Sequence, residues 1–378
     1  MRPTIAEIDL SAIAHNIQAI KAQVHPAQVM AVVKADAYGH GVIPISKTAI
    51  ESGATYLGVA LVEEGIELRN QGFLEPILVF GGAFKHQLYD FFKYNLEVTV
   101  YSEDIAVALS ELAEHFQKSI RVHVKVDTGM GRVGVGWEQA ANFIEFISKL
   151  DGIELQGLYT HFATSDMRDK NYANLQFSRF ILVIQQLEQK KINIPLKHAA
   201  NSGAILDLPE TYLDIVRPGV MLYGYYPSNE TSESVPIKPA MTLKSQVSYI
   251  KTVPENFSVS YGRKFVTSKP TRIATIPLGY ADGYNRLLTN RAKVTIRGKK
   301  FPLIGSVCMD LVMADIGMED DIQIEDEVIL FGGKEKNAFT IKEICQLLDT
   351  IPYEVTCWIS KRVPRVYINN YGDTSWKI

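Results

Sequence analysis

Lys34 closes an apolar, β-branched run, Val29-Met-Ala-Val-Val-Lys34, and Gly39 and Gly41 break the chain a few residues later. An amine at the end of a buried strand is partly stripped of water, which disfavours the ammonium and frees the lone pair. A Schiff-base lysine needs that condition, although a lysine capping a strand at the surface has the same local sequence. Further along, the stretches Lys125-Val-Asp-Thr-Gly-Met-Gly-Arg132, Tyr159-Thr-His161, Asn201-Ser202-Gly203 and Arg217-Pro-Gly219-Val220 each end a strand-like run. The amides of Gly203, Gly219 and Val220, with the Ser202 hydroxyl, can cradle a phosphate. Any one of these loops alone reads equally well as a tight turn; four on one rim facing one lysine point to a site. The cysteines Cys308, Cys345 and Cys357 lack metal-ligand spacing, so no metal is expected.

The elements that would carry these residues follow from periodicity. Strand-like runs at 29–33, 56–60, 76–80, 97–101, 121–126, 154–159, 196–199 and 215–216 alternate with helical patterns at 61–70, 104–116, 138–150 and 172–189. Eight strands alternating with helices predict a (β/α)8 TIM-type barrel over residues 9–235, with functional residues at the C-terminal ends of its strands. A doubly wound open sheet has the same periodicity. Near the N-terminus, 4–8 reads as a strand, and Asp9 or Ser11 as the cap of the following helix. Residues 227–239 form a polar, proline-bearing linker. Beyond it, 236–378 reads as a mainly β C-terminal domain joined by the N-terminal strand 1–8. Its strands are expected at 241–252, 258–261, 271–277, 293–296, 312–316 and 327–331, with one helix at 341–348.

Composition narrows the function classes. With 378 residues the chain can bury two cores, and 47% hydrophobic against 21% charged residues is an ordinary soluble balance. A net charge of -3 gives no electrostatic reason to expect nucleic acid or an anionic membrane as partner. No apolar h-region opens the chain, and no stretch approaches the roughly 18 apolar residues of a membrane span. These features, with so few cysteines, predict a cytoplasmic protein.

The strings AVVKADAYGHG, VDTGMGRVG, YTHFA, HAANSGA and VRPGVMLYG resemble those of the alanine racemase family, and the resemblance spans essentially the whole chain. It implies a homodimer with shared active sites, using pyridoxal 5'-phosphate to interconvert L- and D-alanine and supply peptidoglycan synthesis. By the same resemblance, Lys34 is the Schiff-base lysine and one of two proton-transferring groups. Tyr261, in Val259-Ser-Tyr261-Gly, is the other and comes from the partner subunit. Tyr38, Tyr353, Asn201, Ser202, Gly219 and Val220 bind the cofactor around its phosphate, His161 packs beside its ring, and Arg217 faces its ring nitrogen. Arg132 and Met309 contact the substrate. Tyr280 narrows the entrance, Cys308 and Asp310 stand behind, and Lys125 matches a position that some members carry as a carbamate. Ser306 occupies a place where many relatives are expected to have a larger polar or basic residue. A racemase of another small amino acid, such as serine, and a barrel-type pyridoxal-phosphate decarboxylase share parts of this pattern. A non-catalytic cofactor carrier on the same barrel would lack the second domain.

Overall fold

The structure is a computed structural model describing residues 2–318, 321–333 and 337–369. It divides into two compact units. One holds Ile13–Ala37 and Val42–Lys238; the other holds Met1–Ala12, Tyr38–Gly41 and Pro239–Ile378.

The first unit is built on eight strands: β1 (Gln28–Val32), β2 (Tyr56–Val59), β3 (Ile77–Val79), β4 (Glu97–Val100), β5 (Ile120–Asp127), β6 (Ile153–Tyr159), β7 (Leu196–His198) and β8 (Ile215–Val216). All pair in parallel, in the order β8-β1-β2-β3-β4-β5-β6-β7. The ring closes where Arg217 N donates to Ala200 O at 3.0 Å and Asp214 N to Lys197 O at 3.1 Å. This is the parallel barrel, not an open sheet. Strands covered on both faces need not alternate, and β2 and β3 are buried at every residue. Met30, Tyr56, Leu78, Leu196 and Ile215 pack together at the core, with Phe80 against them.

Strand β5 departs from that rule. Its sequence Ile-Arg-Val-His-Val-Lys-Val-Asp alternates, so Arg121, His123, Lys125 and Asp127 share one face. Yet His123 and Lys125 are as buried as the valines between them. The polar face therefore points into the barrel.

The second unit is mainly β. A six-stranded sheet runs Lys299–Pro302, Lys293–Ile296, Glu327–Phe331, Met241–Gln246, Ile5–Asp9, Arg365–Ile368, and a three-stranded sheet runs Tyr249–Val253, Thr271–Ile276, Val312–Gly317. The expected single run 241–252 is thus two strands in different sheets. It changes sheet at Val247 and Ser248, whose amides bond Asp326 O and Thr275 O at 2.9 Å each. Asp9, not Ser11, caps the first helix: its Oδ1 accepts from Ser11 N at 2.9 Å and Ala12 N at 3.2 Å. A helix not foreseen, Pro352–Trp358, follows Ile341–Leu348, opened by a proline whose fixed φ suits a first turn. Among the described residues no helix is long and apolar enough to cross a membrane. No group of three or more His, Cys, Asp or Glu among them could hold a metal ion.

Candidate active site

Lys34 follows β1 and opens a single helical turn, Lys34–Gly39, of the wrong hand. Ala35, Asp36, Ala37 and Tyr38 have φ of 54°, 51°, 51° and 54°, and Gly39 has 80°. Each non-glycine residue in that conformation costs roughly 1–2 kcal/mol, so surrounding groups must hold it. Glu64 Oε1 accepts from Ala35 N at 2.6 Å, while its other oxygen takes Ala60 N at 2.7 Å. Ala37 N donates to Val33 O at 2.9 Å. Asp36 Oδ1 caps the next helix, Val42–Glu51, by accepting from Val42 N at 2.8 Å. The chain break at Gly39 and Gly41 is legible in the sequence, but neither this turn nor the part of Glu64 is, because Ala, Asp and Tyr prefer the right-handed turn.

The barrel brings Lys34, Lys125, Arg132, His161 and Arg217 into electrostatic range of one another. Burial pushes the Lys125 ammonium down to about 7; the Arg132 and Arg217 guanidiniums add to this, Asp127 opposes it, and Lys34 contributes last. His161, half-buried, is held well below the usual histidine range by desolvation, then by Arg217, Lys125, Arg132 and Lys34. Arg132 itself is exposed, at the end of a loop in which Asp127 Oδ1 accepts from Gly129 N at 2.9 Å.

Arg217 is buried, and burial lowers its guanidinium to about 10. Nη2 donates to Thr160 O at 2.7 Å and Ala199 O at 3.0 Å, and Nη1 bonds His198 Nδ1 at 2.8 Å. The His198 ring lies flat on Tyr159, centroids 4.7 Å apart and planes at 5°. Lys125 Nζ and Arg217 Cζ sit 5.4 and 5.3 Å from the centre of the Tyr159 ring.

The loop after β7 starts with Asn201, whose Oδ1 caps the helix Ser202–Asp207 by accepting from Ala204 N at 3.1 Å and takes the Ser165 hydroxyl at 2.7 Å. Ser202 Oγ accepts from Gly219 N at 2.9 Å. Within the expected phosphate cradle, then, the Gly219 amide is held by Ser202. Gly203 and Val220 open helical turns, where the first N–H groups have no helical acceptor. A Cβ on Gly203 would come within 2.9 Å of the Ser165 carbonyl, so only glycine fits.

Within the other unit, Tyr38 and Tyr353 meet edge to face at 6.2 Å, Tyr353 on the unforeseen helix. Burial, then Cys357 and Tyr353, raise the Tyr38 phenol above its usual range. Tyr261 is 73% exposed and sits on a strained turn: Ser260 before it has φ 64° and ψ -176°, a region almost reserved for glycine. Ser260 Oγ donates to Ser306 O at 2.8 Å and lies 3.3 Å from Cys308 Sγ, while Ser306 Oγ donates to Tyr261 O at 2.9 Å. Ser306, small and buried, is thus a clamp on the Tyr261 turn. Tyr280 N donates to Cys308 O at 3.0 Å and Ala281 N to Met309 O at 3.1 Å, with Gly279 too close to Met309 O for any Cβ. Tyr280 and Met309 are exposed, and Asp310 pairs with Arg362 at 2.7 Å.

Residues 8–227 match the family description "Alanine racemase, N-terminal domain" and residues 240–367 "Alanine racemase, C-terminal domain". The chain belongs to the alanine racemase family. It is 48% identical over 370 residues to alanine racemase 2 of Caldanaerobacter subterraneus subsp. tengcongensis, covering 97% of this chain and 95% of that one. It is 46% identical over 372 residues to the alanine racemase of Clostridium perfringens, covering 98% and 96%. Among solved structures, an alanine racemase from Clostridium difficile 630 superposes with a TM-score of 0.93 at 40% identity, covering 98% of this chain and 97% of that one. The Bacillus anthracis alanine racemase with bound L-Ala-P gives 0.93 at 32% identity, covering 100% and 98%.

Proposed function

We infer that this chain is an alanine racemase, interconverting L- and D-alanine with two proton-transferring groups and supplying D-alanine to peptidoglycan in the cytoplasm. The observation that carries the reading is the buried Arg217 guanidinium, fastened by three acceptors beside the Lys34, Lys125 and His161 cluster. The cluster is mainly cationic, which suits an anionic guest such as a substrate carboxylate. The tight Gly203 turn and the Ser202 hydroxyl suit a cofactor phosphate.

Pyridoxal 5'-phosphate, when bound, supplies an aldehyde that takes the substrate amine and a ring that draws electrons from its Cα. Lys34 would anchor it; Tyr38, Tyr353, Asn201, Ser202, Gly203, Gly219 and Val220 would line its phosphate, and His161 its ring. Arg217, which cannot accept a proton, would face the ring nitrogen without protonating it, a setting that would favour return of the proton to Cα, and so racemisation over transamination. Lys34 Nζ moves the proton on one face of Cα. Tyr261 of the partner subunit moves it on the other, and Arg132 with the Met309 backbone holds the carboxylate. The partnership is a homodimer with alanine as substrate, without nucleic acid or membrane.

Lys34→Ala should lose both cofactor attachment and activity, and borohydride should label Lys34 in the parent. Tyr261→Phe should keep the cofactor and cut proton removal from L-alanine by about 10²–10⁴, with exchange of the D-alanine α-proton falling much less. Mixing these two inactive subunits should restore activity, since each heterodimer then has one site free of both changes. Verified subunit exchange without recovery would place both groups in one chain.

A further inference from the structure

Behind Arg217 a row of buried polar groups runs through the barrel. Arg217 Nη1 meets His198 Nδ1 at 2.8 Å, His198 Nε2 meets His123 Nδ1 at 3.0 Å, and His123 Nε2 meets Glu97 Oε2 at 2.9 Å. Glu97, His123 and His198 are fully buried, and the reaction described above uses none of them directly. The backbone makes room: a Cβ on Gly157, opposite His123 across β5 and β6, would lie 2.0 Å from His123 Nδ1.

The proton positions follow from the Arg217 end. A guanidinium only donates, so His198 Nδ1 accepts and that ring's proton sits on Nε2. His123 Nδ1 must then accept in turn, and its proton also sits on Nε2, facing a carboxylate oxygen. Every hydrogen bond in the row points away from Arg217 and ends on the one acceptor-only group. We propose that Glu97 is a positioning residue for Arg217, acting through His123 and His198 by fixing which nitrogen of each ring carries its proton.

The remaining groups facing the row fit that role. Glu97 Oε1 is 3.4 Å from both Arg121 Nη1 and the Tyr56 hydroxyl, which Gln156 Nε2 reaches at 3.2 Å; Arg69 acts on Glu97 at longer range. At the far end Tyr159, His161, Lys125 and Arg132 surround Arg217. None of these supplies another acceptor to His123 Nε2. Without Glu97 the His123 ring can take its other tautomer, with its proton on the nitrogen that faces His198 Nε2; His198 then moves its own proton to Nδ1, which sets N–H against N–H at Arg217 and releases Nη1. The functional consequence rests on the reading of Arg217 given above; the tautomers do not.

The test is nitrogen-15 NMR of histidine-labelled, cofactor-free protein at about pH 7.5, with steady-state kinetics of the reconstituted enzyme. The parent should show His123 and His198 protonated on Nε2 alone. A proton on Nδ1 of His198, or on both its nitrogens, overturns the proposal whatever any variant does. Glu97→Leu should mix the tautomers of both rings and lower kcat by roughly tenfold to a hundredfold, the scale of a lost outer partner, with KM for alanine changed much less. Unchanged tautomers and kcat in that variant overturn it too. Should Glu97→Leu not fold, His123→Phe keeps the ring's bulk, and His198 should lose its single tautomer in the same way. A parent with the expected tautomers but no racemase activity would sink the function and leave the row standing.

Discussion

Replacing Lys125 by methionine keeps an unbranched side chain one atom shorter and removes its charge, and the structure gives the size of the effect. The amine titrates near 7 in the folded protein, mainly through burial and then Arg132 and Arg217, against 10.5 in the unfolded chain. Between those values the unfolded chain holds the extra proton, so the lysine's contribution to stability rises with pH across that window. At about 1.36 kcal/mol per pH unit, the charge destabilises the fold by roughly 4 kcal/mol at about pH 7.5 and by roughly 1 kcal/mol at about pH 10. Other lysines and tyrosines titrate in the same range, but they are common to both proteins and cancel in the difference. Urea unfolding of both cofactor-free proteins in carbon-dioxide-free buffer should find Lys125→Met more stable, by a margin that shrinks by about 3 kcal/mol across that range. A margin independent of pH, or a variant less stable at about pH 7.5, would refute the reasoning.

With carbon-13 bicarbonate, the half-neutral Lys125 should form a carbamate resonance that Lys125→Met lacks, since the new negative charge faces Arg132 and Arg217. Ala35→Gly, at an exposed position with φ 54°, should raise the unfolding free energy by up to about 1 kcal/mol; a loss would contradict the left-handed turn. Ser306→Ala removes the hydroxyl that holds Tyr261 O and should cost about 1 kcal/mol in denaturant unfolding. It should slow proton removal from L-alanine more than exchange from D-alanine. If Tyr280, Tyr353 and Met309 narrow the entrance, turnover of leucine or lysine should be negligible beside alanine, as a screen of amino acids would read directly.

The barrel was legible because short strand-like runs, several of them wholly or mostly apolar, recur at regular spacing between helical patterns. The second unit was less so. Nothing in 241–252 marks the change of sheet at Val247, which two backbone hydrogen bonds to remote segments decide. At the site, the loops carrying Arg132, His161, Ser202 and Arg217 were visible as breaks after strands. Glu97, His123 and His198 were passed over, although a glutamate and two histidines inside strand runs were a signal. The alternation of β5 would ordinarily mean a wet face, and only closure of the ring makes that face interior. Ser306 reads as a small surface-like residue until the neighbouring Tyr261 turn gives its hydroxyl a purpose.

The left-handed turn beside Lys34 also bears on when the geometry around that lysine is set during biogenesis. Four non-glycine residues of that hand together cost roughly 4–8 kcal/mol, comparable to the net stability of a whole domain. No emerging or truncated chain can sustain it without Glu64, Val33 and the completed ring. Before then the backbone beside Lys34 takes the right-handed conformations that its residues prefer. The geometry at this position is thereby a product of the completed fold, which a shorter or misfolded chain does not reproduce.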